Sequence, residues 1–280
     1  MKKSSGALNL LSVIIPARNE EDGIARSVEH LYLELKTHRI PHEIIVVNDG
    51  SSDGTARRLN EIKNAVPTLR TLHNRALHGY GRAVVYGIDR MKGDAAVIVM
   101  ADESDDCRDV VRYWEKLKEG ADCVFGSRFI RGGGTIDYPL PKYFLNRLGN
   151  KFIQLLFGLE LNDITNAFKA YRREVLDACR PFVASHFNLT VELPLKAIVR
   201  GFECVTIPIS WRNRTYGLAK FKIKEIGSRY LFIIFYVWLE NFLCREDYWR
   251  RRGQQKVRKW TGIFKKGISL FKSISIKTSK

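Results

Sequence analysis

The sequence has few cysteines, and their spacing limits the classes of protein that it can encode. None of the five forms a Cys-x-x-Cys pair. Secreted disulfide scaffolds and structural zinc sites both depend on closely patterned cysteines. We therefore expect reduced thiols in a cytosolic compartment at the scattered positions Cys107, Cys123, Cys179, Cys204 and Cys244.

Long apolar runs are also missing from the sequence. The candidate run Tyr230–Leu239 is mostly apolar but stops at Glu240, whereas a helix that spans a membrane needs about 20 such residues. We expect an interfacial or buried helix there. Near the N-terminus, Asn9 and Ser12 interrupt the apolar run that follows the first lysines, so we expect no signal peptide.

The glycine-rich fingerprints of common nucleotide sites are absent as well. A dinucleotide site needs Gly-x-Gly-x-x-Gly after the first strand, but the turn there reads PARNEEDG. The nearest match, Gly79–Val84, comes later in the chain and lacks the last glycine. There is no Walker loop either. These absences disfavour nicotinamide oxidoreductases and P-loop enzymes.

Positive charge is abundant and is concentrated near the C-terminus. The 280-residue chain has a formal net charge of +17, and positions 245–280 contain 12 Lys or Arg against two acids. Aromatic residues such as Trp249, Trp260 and Phe264 lie between these cations. That mixture favours an anionic membrane surface, and we expect no nucleic-acid partner. A solvated tail that only aids solubility is the open alternative.

Strand and helix signals alternate along the first half of the chain. With 45% hydrophobic residues, the chain can bury the core of one large domain. The alternation predicts an α/β fold with a mainly parallel sheet flanked by helices. Apolar runs predict strands at 10–16, 43–49, 68–74, 94–102 and 121–128, and amphipathic spacing predicts helices at about 18–35, 51–65, 79–91 and 106–119.

Polar clusters directly follow four of the predicted strands, as PARNEE, NDGSSD, ADESDD and GSRFIR. Ligands of such sheets bind at the carboxyl ends of the strands, so we expect the four clusters to line one crevice. The carboxylates of ADESDD suit a hard divalent cation, which neutralises a diphosphate leaving group. The open alternative is an acidic cap for a helix that starts near Asp106.

Five motifs in order resemble one known family. VIIPARNEEDGI, VVNDGSSDGT, VMADESDD, GSRFIRGGG and DITNAFKAYRREVL have the order and spacing of inverting family 2 glycosyltransferases with the GT-A fold. Within that family the chain is most similar to the dolichyl- or polyprenyl-phosphate mannose or glucose synthase branch, from roughly Leu10 to Phe221. The resemblance implies a Rossmann-like GT-A domain and inverting transfer of a monosaccharide from a UDP- or GDP-linked sugar to a polyprenyl phosphate. It also implies Mg²⁺ or Mn²⁺ as cofactor.

The resemblance assigns residues to the donor nucleotide. The first-strand loop that holds the nucleotide matches Pro16, Ala17, Arg18, Asn19 and Glu20. Asp49 matches the second acid of the family's Asp-Asp-Gly-Ser turn, and Asn48 replaces the first.

The resemblance also implies a metal site in the acidic cluster. Asp102 matches the second acid of the Asp-x-Asp motif, and Met100 stands where the first acid would be. With one acid lost, metal affinity depends on Ser104, Asp105 and the substrate diphosphate, and either Glu103 or Asp105 compensates. Glu103 and Ser104 are also expected to contact the substrate.

On the acceptor side, the family places phosphate-binding arginines at Arg128 and Arg131, before the easily reshaped Gly132–Gly134. The open alternative is that both are surface arginines beside a flexible loop and do not bind phosphate. Asp163 matches the D-x-T segment and is assigned to the sugar pocket, although it also fits a cap for a helix from about Thr165. The later cations Arg214 and Lys220 are expected to contact the diphosphate or the acceptor phosphate.

Asp102, Arg128 and Arg131 are therefore the expected catalytic residues. A phosphate acceptor is already ionised near neutral pH, so no general base is required. We expect a catalytic domain at 1–221, an amphipathic interfacial helix at 222–244 and a basic tail at 245–280, in a peripheral enzyme on the cytoplasmic face of a membrane. Two alternatives stay open: a glycosyltransferase with a glycan hydroxyl acceptor, and a non-catalytic membrane-binding relative.

Overall fold

The computed structural model describes residues 7–214 and 223–243 and is built around one seven-stranded sheet. The strands of this sheet are β1 Leu11–Ala17, β2 His42–Asn48, β3 Leu69–His73, β4 Ala95–Ile98, β5 Cys123–Ser127, β7 Lys169–Arg172 and β8 Cys204–Pro208. A second, two-stranded sheet pairs β6 Gly134–Ile136 with β9 Ser210–Arg212. The predictions for Lys220 and for the tail 245–280 lie outside the described residues.

The large sheet has the strand order β3-β2-β1-β4-β7-β5-β8. Strand β7 runs antiparallel to β4 and β5, and all other neighbouring pairs are parallel. The predicted α/β fold with a mainly parallel sheet is therefore confirmed. Strands β1 and β4 are buried along their whole length, which explains why their sequences are nearly continuous apolar runs.

Eight helices accompany the strands in the described residues. They are α1 Ile24–Thr37, α2 Thr55–Ile62, α3 Tyr80–Ile88, α4 Cys107–Lys118, α5 Leu140–Phe157, α6 Arg173–Ala178, α7 Leu189–Val199 and α8 Ile223–Leu243. The prediction that the first helix starts near Arg18 was wrong. Asn19 has a left-handed φ of 56°, and the N–H of Ile24 donates to the Glu20 carbonyl at 2.9 Å, so the helix begins only after this turn.

Helices cover both faces of the sheet and make two hydrophobic cores. The apolar sides of α1, α2 and α4 pack against one face. Helices α3, α5, α6, α7 and α8 contribute to the core on the other. The two layers of helices shield the faces of the sheet from water. The polar groups that can bind a ligand therefore lie in the loops at its carboxyl edge.

Helix α8 is docked on the second core by one side only. Ile233, Ile234 and Val237 are buried, and Arg200 at the end of α7 pairs with Glu240 at 2.5 Å. The other side of α8 exposes apolar side chains, among them Phe232 and Phe235. None of the described helices has the length and apolar content needed to cross a membrane.

Candidate active site

The loops after β1 and β2 are joined at the carboxyl edge of the sheet. The N–H of Asp49 donates to the Ala17 carbonyl at 2.8 Å, which extends the strand pairing by one step. Asn19 then bridges to the second loop: its N–H donates to the Ser51 hydroxyl at 3.0 Å, and its side-chain oxygen accepts from the Ser52 N–H at 2.8 Å. The positive φ of Asn19 is thus stabilised by bonds to the neighbouring loop.

Asp49 is buried and organises the loop after β2. Its carboxylate accepts hydrogen bonds from the Asn74 side chain at 2.6 Å and from the Gly79 N–H at 2.7 Å, at the start of α3. Gly50 follows with a φ of 70°, and a Cβ there would lie 2.4 Å from the His78 ring. Only glycine therefore fits this turn without strain.

An ion-pair bridge connects the loops after β1 and β4 to the segment after β9. Arg214 Nη2 lies 2.5 Å from Asp102 Oδ2, and Arg214 Nη1 lies 3.7 Å from Glu20 Oε1. The chain reaches this position because the Arg212 N–H donates to the Ser104 carbonyl at 3.0 Å. The structure therefore brings together the predicted residues Glu20, Asp102, Ser104 and Arg214.

The acidic cluster divides into carboxylates with different partners. Asp105 folds back so that its Oδ2 accepts from the N–H of Met100 at 3.0 Å, at the position where the first motif acid is missing. Burial, together with the nearby charge of Asp102, raises the pKa of Asp105 to about 7. Asp106 caps α4 by accepting from the Arg108 N–H at 3.0 Å. The capping alternative is thus correct for Asp106 and does not describe Asp105.

Glu103 points away from the other carboxylates. It has a φ of 55°, and its carboxylate pairs with Arg26 at 3.5 Å and with His30 at 3.2 Å on helix α1. The structure therefore does not bring Glu103 together with Asp102, although the sequence grouped them.

The donor groups of the site determine whether it can hold a metal. Within 7–214 and 223–243, no three His, Cys, Asp or Glu side chains are grouped closely enough to hold an ion by themselves. Mg²⁺, however, is usually bound by one or two carboxylates together with substrate phosphates and water. Asp102, with Asp105 in electrostatic reach, fits that smaller donor set.

Arg128 and Asp163 form a buried, forked ion pair at the end of β5. Arg128 donates to the Asp163 carboxylate from its backbone N at 3.0 Å, from Nε at 2.8 Å and from Nη2 at 2.7 Å. Burial opposes the charge, but these bonds keep the pKa of Arg128 above its usual value. The alternative that Asp163 caps a helix from about Thr165 is wrong, because no helix starts between Asp163 and β7.

A cationic and aromatic cluster surrounds the exposed edge of this pair. The Arg128 guanidinium lies 5.5 Å from the ring centre of Tyr138 and 5.9 Å from that of Trp211. The ammonium of Lys142, in the first turn of α5, lies 4.9 Å from the Trp211 ring centre. Partial burial and the positive charge of Arg128 lower the pKa of Lys142, and Asp102 opposes this shift. Lys142 therefore belongs to the site.

Sequence reasoning missed Lys142. The signal available was its position directly after Pro141 at the start of a helix, eleven residues beyond Arg131. A lone lysine there is ordinary on a solvated helix face. Only the tertiary contact with Trp211 distinguishes a lysine of the site from a surface lysine.

The remaining predicted residues have simpler positions. Pro16 and Ala17 lie buried within β1, and Asn48 accepts from the Ser51 N–H at 3.0 Å. Arg18 and Arg131 are exposed on the surface.

Solved structures share the architecture of this chain. Glucosyl-3-phosphoglycerate synthase from Mycobacterium tuberculosis, in complex with Mn²⁺, uridine diphosphate and phosphoglyceric acid, matches with a TM-score of 0.61 at 20% identity, over 85% of this chain and 78% of that chain. The same enzyme in complex with Mg²⁺ and uridine diphosphate matches with a TM-score of 0.60 at 21% identity, over 85% of this chain and 79% of that chain. At these identities the likeness establishes the fold.

Sequence relatives define the family more closely. The family model described as glycosyl transferase family 2 matches residues 12–180. The polyprenol monophosphomannose synthase of Mycolicibacterium smegmatis is 31% identical over 78% of this chain and 86% of its own length. The chain therefore belongs to glycosyltransferase family 2, as its motifs predicted.

A second curated relative carries a related name. The undecaprenyl-phosphate 4-deoxy-4-formamido-L-arabinose transferase of Pseudomonas fluorescens is 27% identical over 76% of this chain. The match spans 61% of that relative's own length.

Proposed function

We propose that this glycosyltransferase moves a monosaccharide from a nucleotide-diphosphate sugar to a polyprenyl phosphate. The names of the two sequence relatives point to this acceptor class. The observation that carries the proposal is that the charges of Arg128, Arg214 and Asp102 all act on Lys142, with Arg214 paired to Asp102. The nearest acceptor-side carboxylate, Asp163, is occupied by Arg128. Such a site suits an anionic acceptor, and the Asp163 carboxylate is not free to act as a base toward a hydroxyl.

The donor lies across the loops after β1, β2 and β4. The β1 loop from Pro16 to Glu20, together with Asn48 and Asp49, forms the nucleotide side. Asp102 would hold Mg²⁺ or Mn²⁺ there, with Asp105, Ser104 and the donor diphosphate as further ligands. When bound, the metal neutralises negative charge on the leaving diphosphate. Arg214 supplies a second positive charge at the same place once it leaves the Asp102 carboxylate.

The acceptor phosphate binds on the opposite side of the sugar. Lys142 and the exposed Arg131 provide positive charge there, and Arg128 fixes the geometry through Asp163. The rings of Tyr138 and Trp211 lie close to Arg128 and Lys142. They cover part of these two cations, which strengthens the attraction of the cations for an anion.

The reaction is one in-line displacement at the sugar C1. A non-bridging oxygen of the acceptor phosphate forms the new bond to C1, the bond from C1 to the nucleoside diphosphate breaks, and the anomeric configuration inverts. A phosphate monoester is ionised near pH 7, so no proton has to be removed first. The protein orients the two substrates and stabilises the departing charge, which are large contributions to catalysis.

An apolar surface on α5 and α8 suits the lipid part of the acceptor. The rings of Phe152 on α5 and Phe235 on α8 lie 6.2 Å apart, so the exposed sides of the two helices are adjacent. The exposed apolar residues of this surface are Leu140, Phe144, Leu145, Leu148, Phe152, Leu155, Leu231, Phe232, Phe235, Leu239, Phe242 and Leu243. A contiguous apolar surface of this kind marks an interaction site.

We assign this apolar surface to a bilayer rather than to a protein partner. Lys142 lies in the same first turn of α5 as the exposed Leu140, so a lipid whose chain rests on the surface can bring its phosphate to the cations. The interfacial helix predicted at 222–244 coincides with α8. The basic tail 245–280 and Lys220 are proposed to add attraction for an anionic cytoplasmic leaflet and for substrate phosphate.

A transfer assay tests the proposed function. The full chain is incubated in detergent with Mg²⁺, with UDP- or GDP-linked sugars in turn, and with undecaprenyl or dolichyl phosphate. One donor is expected to give a glycosylated lipid phosphate that does not form after addition of a metal chelator. Hydrolysis of the donor, or transfer to a glycan, without any lipid product would reject the proposal.

A further inference from the structure

Lys169 on β7 is fully buried and donates to backbone carbonyls. Its ammonium bonds to the carbonyl of Ile164 at 2.9 Å, to that of Asn166 and to that of Thr190 at 3.3 Å. Its relative exposure is 1%. Burying a lysine costs free energy, and burial lowers the pKa of Lys169 to about 7. Among the described residues no carboxylate accepts a hydrogen bond from Lys169, so its ammonium stabilises backbone carbonyls instead.

Two of these carbonyls belong to the loop Asn162–Asn166, which holds the end of β5 in place. Asn162 accepts from the Ser127 hydroxyl at 2.7 Å and donates to the Phe129 carbonyl at 3.1 Å. Asp163 binds Arg128, and Asn166 donates to the Gly126 carbonyl at 3.1 Å. The loop Asn162–Asn166 therefore fixes the backbone on both sides of Arg128, and Lys169 stabilises that loop through hydrogen bonds to its carbonyls.

The same loop also positions helix α5. Asn146 donates to the Thr165 hydroxyl at 2.8 Å, and Arg147 donates to the Asn162 carbonyl at 3.0 Å. Because Lys142 lies one turn before Asn146, a shift of the loop moves both cations of the acceptor side.

The third carbonyl connects Lys169 to the helices under the apolar surface. Thr190 lies in the first turn of α7, and its hydroxyl is 3.3 Å from the hydroxyl of Tyr230 on α8. Tyr230 also donates to the Phe187 carbonyl at 3.0 Å. Lys169 thus lies between the loop that sets the acceptor cations and helix α7, which contacts α8 through Thr190 and Tyr230.

We propose that Lys169 is a positioning residue that holds the Asn162–Asn166 loop against α7, and so places Arg128 and Lys142 for the acceptor phosphate. This inference rests on the proposed function. It predicts that the loss of the ammonium weakens the use of the acceptor while the donor side, built from the loops after β1, β2 and β4, is unchanged.

The test compares Lys169→Met with a matched control, Lys196→Met. Lys196 is also fully buried, but it pairs with Glu192 at 2.7 Å and bonds to the Pro181 carbonyl, away from the acceptor loop. Lys169→Arg restores the positive charge, and Lys169→Gln supplies a second loss-of-charge variant should the Met variant not fold. The readouts are the acceptor KM, kcat, donor affinity and melting temperature of each full-length variant.

Lys169→Met is expected to raise the acceptor KM by about 10-fold to 100-fold, the effect of displacing a binding group by about 1 Å. Donor affinity should stay within about twofold, and Lys169→Arg should recover part of the loss. Lys196→Met should lower the melting temperature without this change in acceptor KM. If both Met variants change acceptor KM and melting temperature in parallel, Lys169 is only structural and the inference is overturned.

A second readout separates this inference from the proposed function. Hydrogen exchange of the amides at 126–129 needs no substrate, and it should become faster in Lys169→Met than in Lys196→Met. Unchanged exchange there overturns the positioning role whatever the acceptor is. Faster exchange in a protein whose wild type glycosylates no lipid phosphate would support the positioning of Arg128 and reject only the acceptor class.

Discussion

Arg214 Nη2 lies 2.5 Å from Asp102 Oδ2, at the place proposed for the metal and the donor diphosphate. The side chain of Asp102 is only 7% exposed, and that of Arg214 is 22% exposed. In the free protein the guanidinium therefore satisfies the carboxylate that a metal would bind. A metal that binds at Asp102 would have to displace this guanidinium. The pair also links the loop after β4 to the segment after β9.

Arg214→Met should strengthen metal binding in the absence of donor. Exposed ion pairs are worth about 0.2–1 kcal/mol, and this pair is more buried than those. Mn²⁺ affinity measured by titration calorimetry should therefore rise by at least about twofold to fivefold. Turnover should fall, because a cation near the leaving diphosphate is lost. Arg212→Met, at an exposed position two residues earlier, is the control. Equal metal affinity in the two variants would contradict the exchange.

Asp102→Asn should abolish the part of the donor-induced thermal shift that depends on divalent metal. Ligand binding raises the melting temperature by mass action, and the amide is a poor substitute for the carboxylate as a Mg²⁺ ligand. Glu103→Gln is the matched control, because Glu103 pairs with Arg26 and His30 instead. A metal-dependent shift that survives in Asp102→Asn would mean that the acidic cluster serves other purposes.

Lys142→Met should weaken binding of the acceptor and leave binding of the donor unchanged. A charge-assisted contact with phosphate is worth about 1.5–3 kcal/mol, which corresponds to a rise in acceptor KM of about 10-fold or more. The effect should shrink at high salt, since the attraction is partly screened. Lys151→Met, an exposed lysine later in α5, should behave like the wild type. Similar KM values for both variants would remove Lys142 from the site.

The double change Leu148→Ser and Phe235→Ser should reduce binding to vesicles that contain anionic lipid. Each buried apolar side chain contributes about 1.5–3 kcal/mol, so flotation should show at least about tenfold weaker binding. Leu33→Ser is the control, because Leu33 is an exposed apolar residue on α1. Vesicle binding that survives the double change would place the membrane contact elsewhere.

The sequence predicted the parallel core of the fold and the first loops of the site. Strand β2 was expected at 43–49 and lies at His42–Asn48, because continuous apolar runs bounded by turn residues are a strong local signal. The close approach of the β1 and β2 loops followed from the parallel topology alone. The expectation that Asp102 is a central carboxylate came from its place at the end of the strand predicted at 94–102, and it stays a prediction. Strand β4 itself ends at Ile98.

Other features depend on contacts that no local pattern contains. Strand β7 has only four residues, Lys169–Arg172, and lies buried between β4 and β5. Because both of its end residues are charged, the sequence does not show the apolar run expected of a buried strand. The return of Asp105 to the Met100 N–H and the turn of Glu103 toward α1 both depend on backbone angles within one short loop. The contacts that distinguish Lys142 and Lys169 from ordinary lysines are with a ring and a carbonyl distant in sequence, those of Trp211 and Thr190.

The most direct test of the central claim compares two acceptors of identical chain length, a polyprenyl phosphate and the corresponding polyprenol. With the donor found by the transfer assay, the phosphate should be glycosylated and the alcohol should not, and NMR of the product should show a sugar phosphodiester of inverted configuration. Transfer to the alcohol at a comparable rate, or a product of retained configuration, would contradict an anionic acceptor attacking C1 in one displacement.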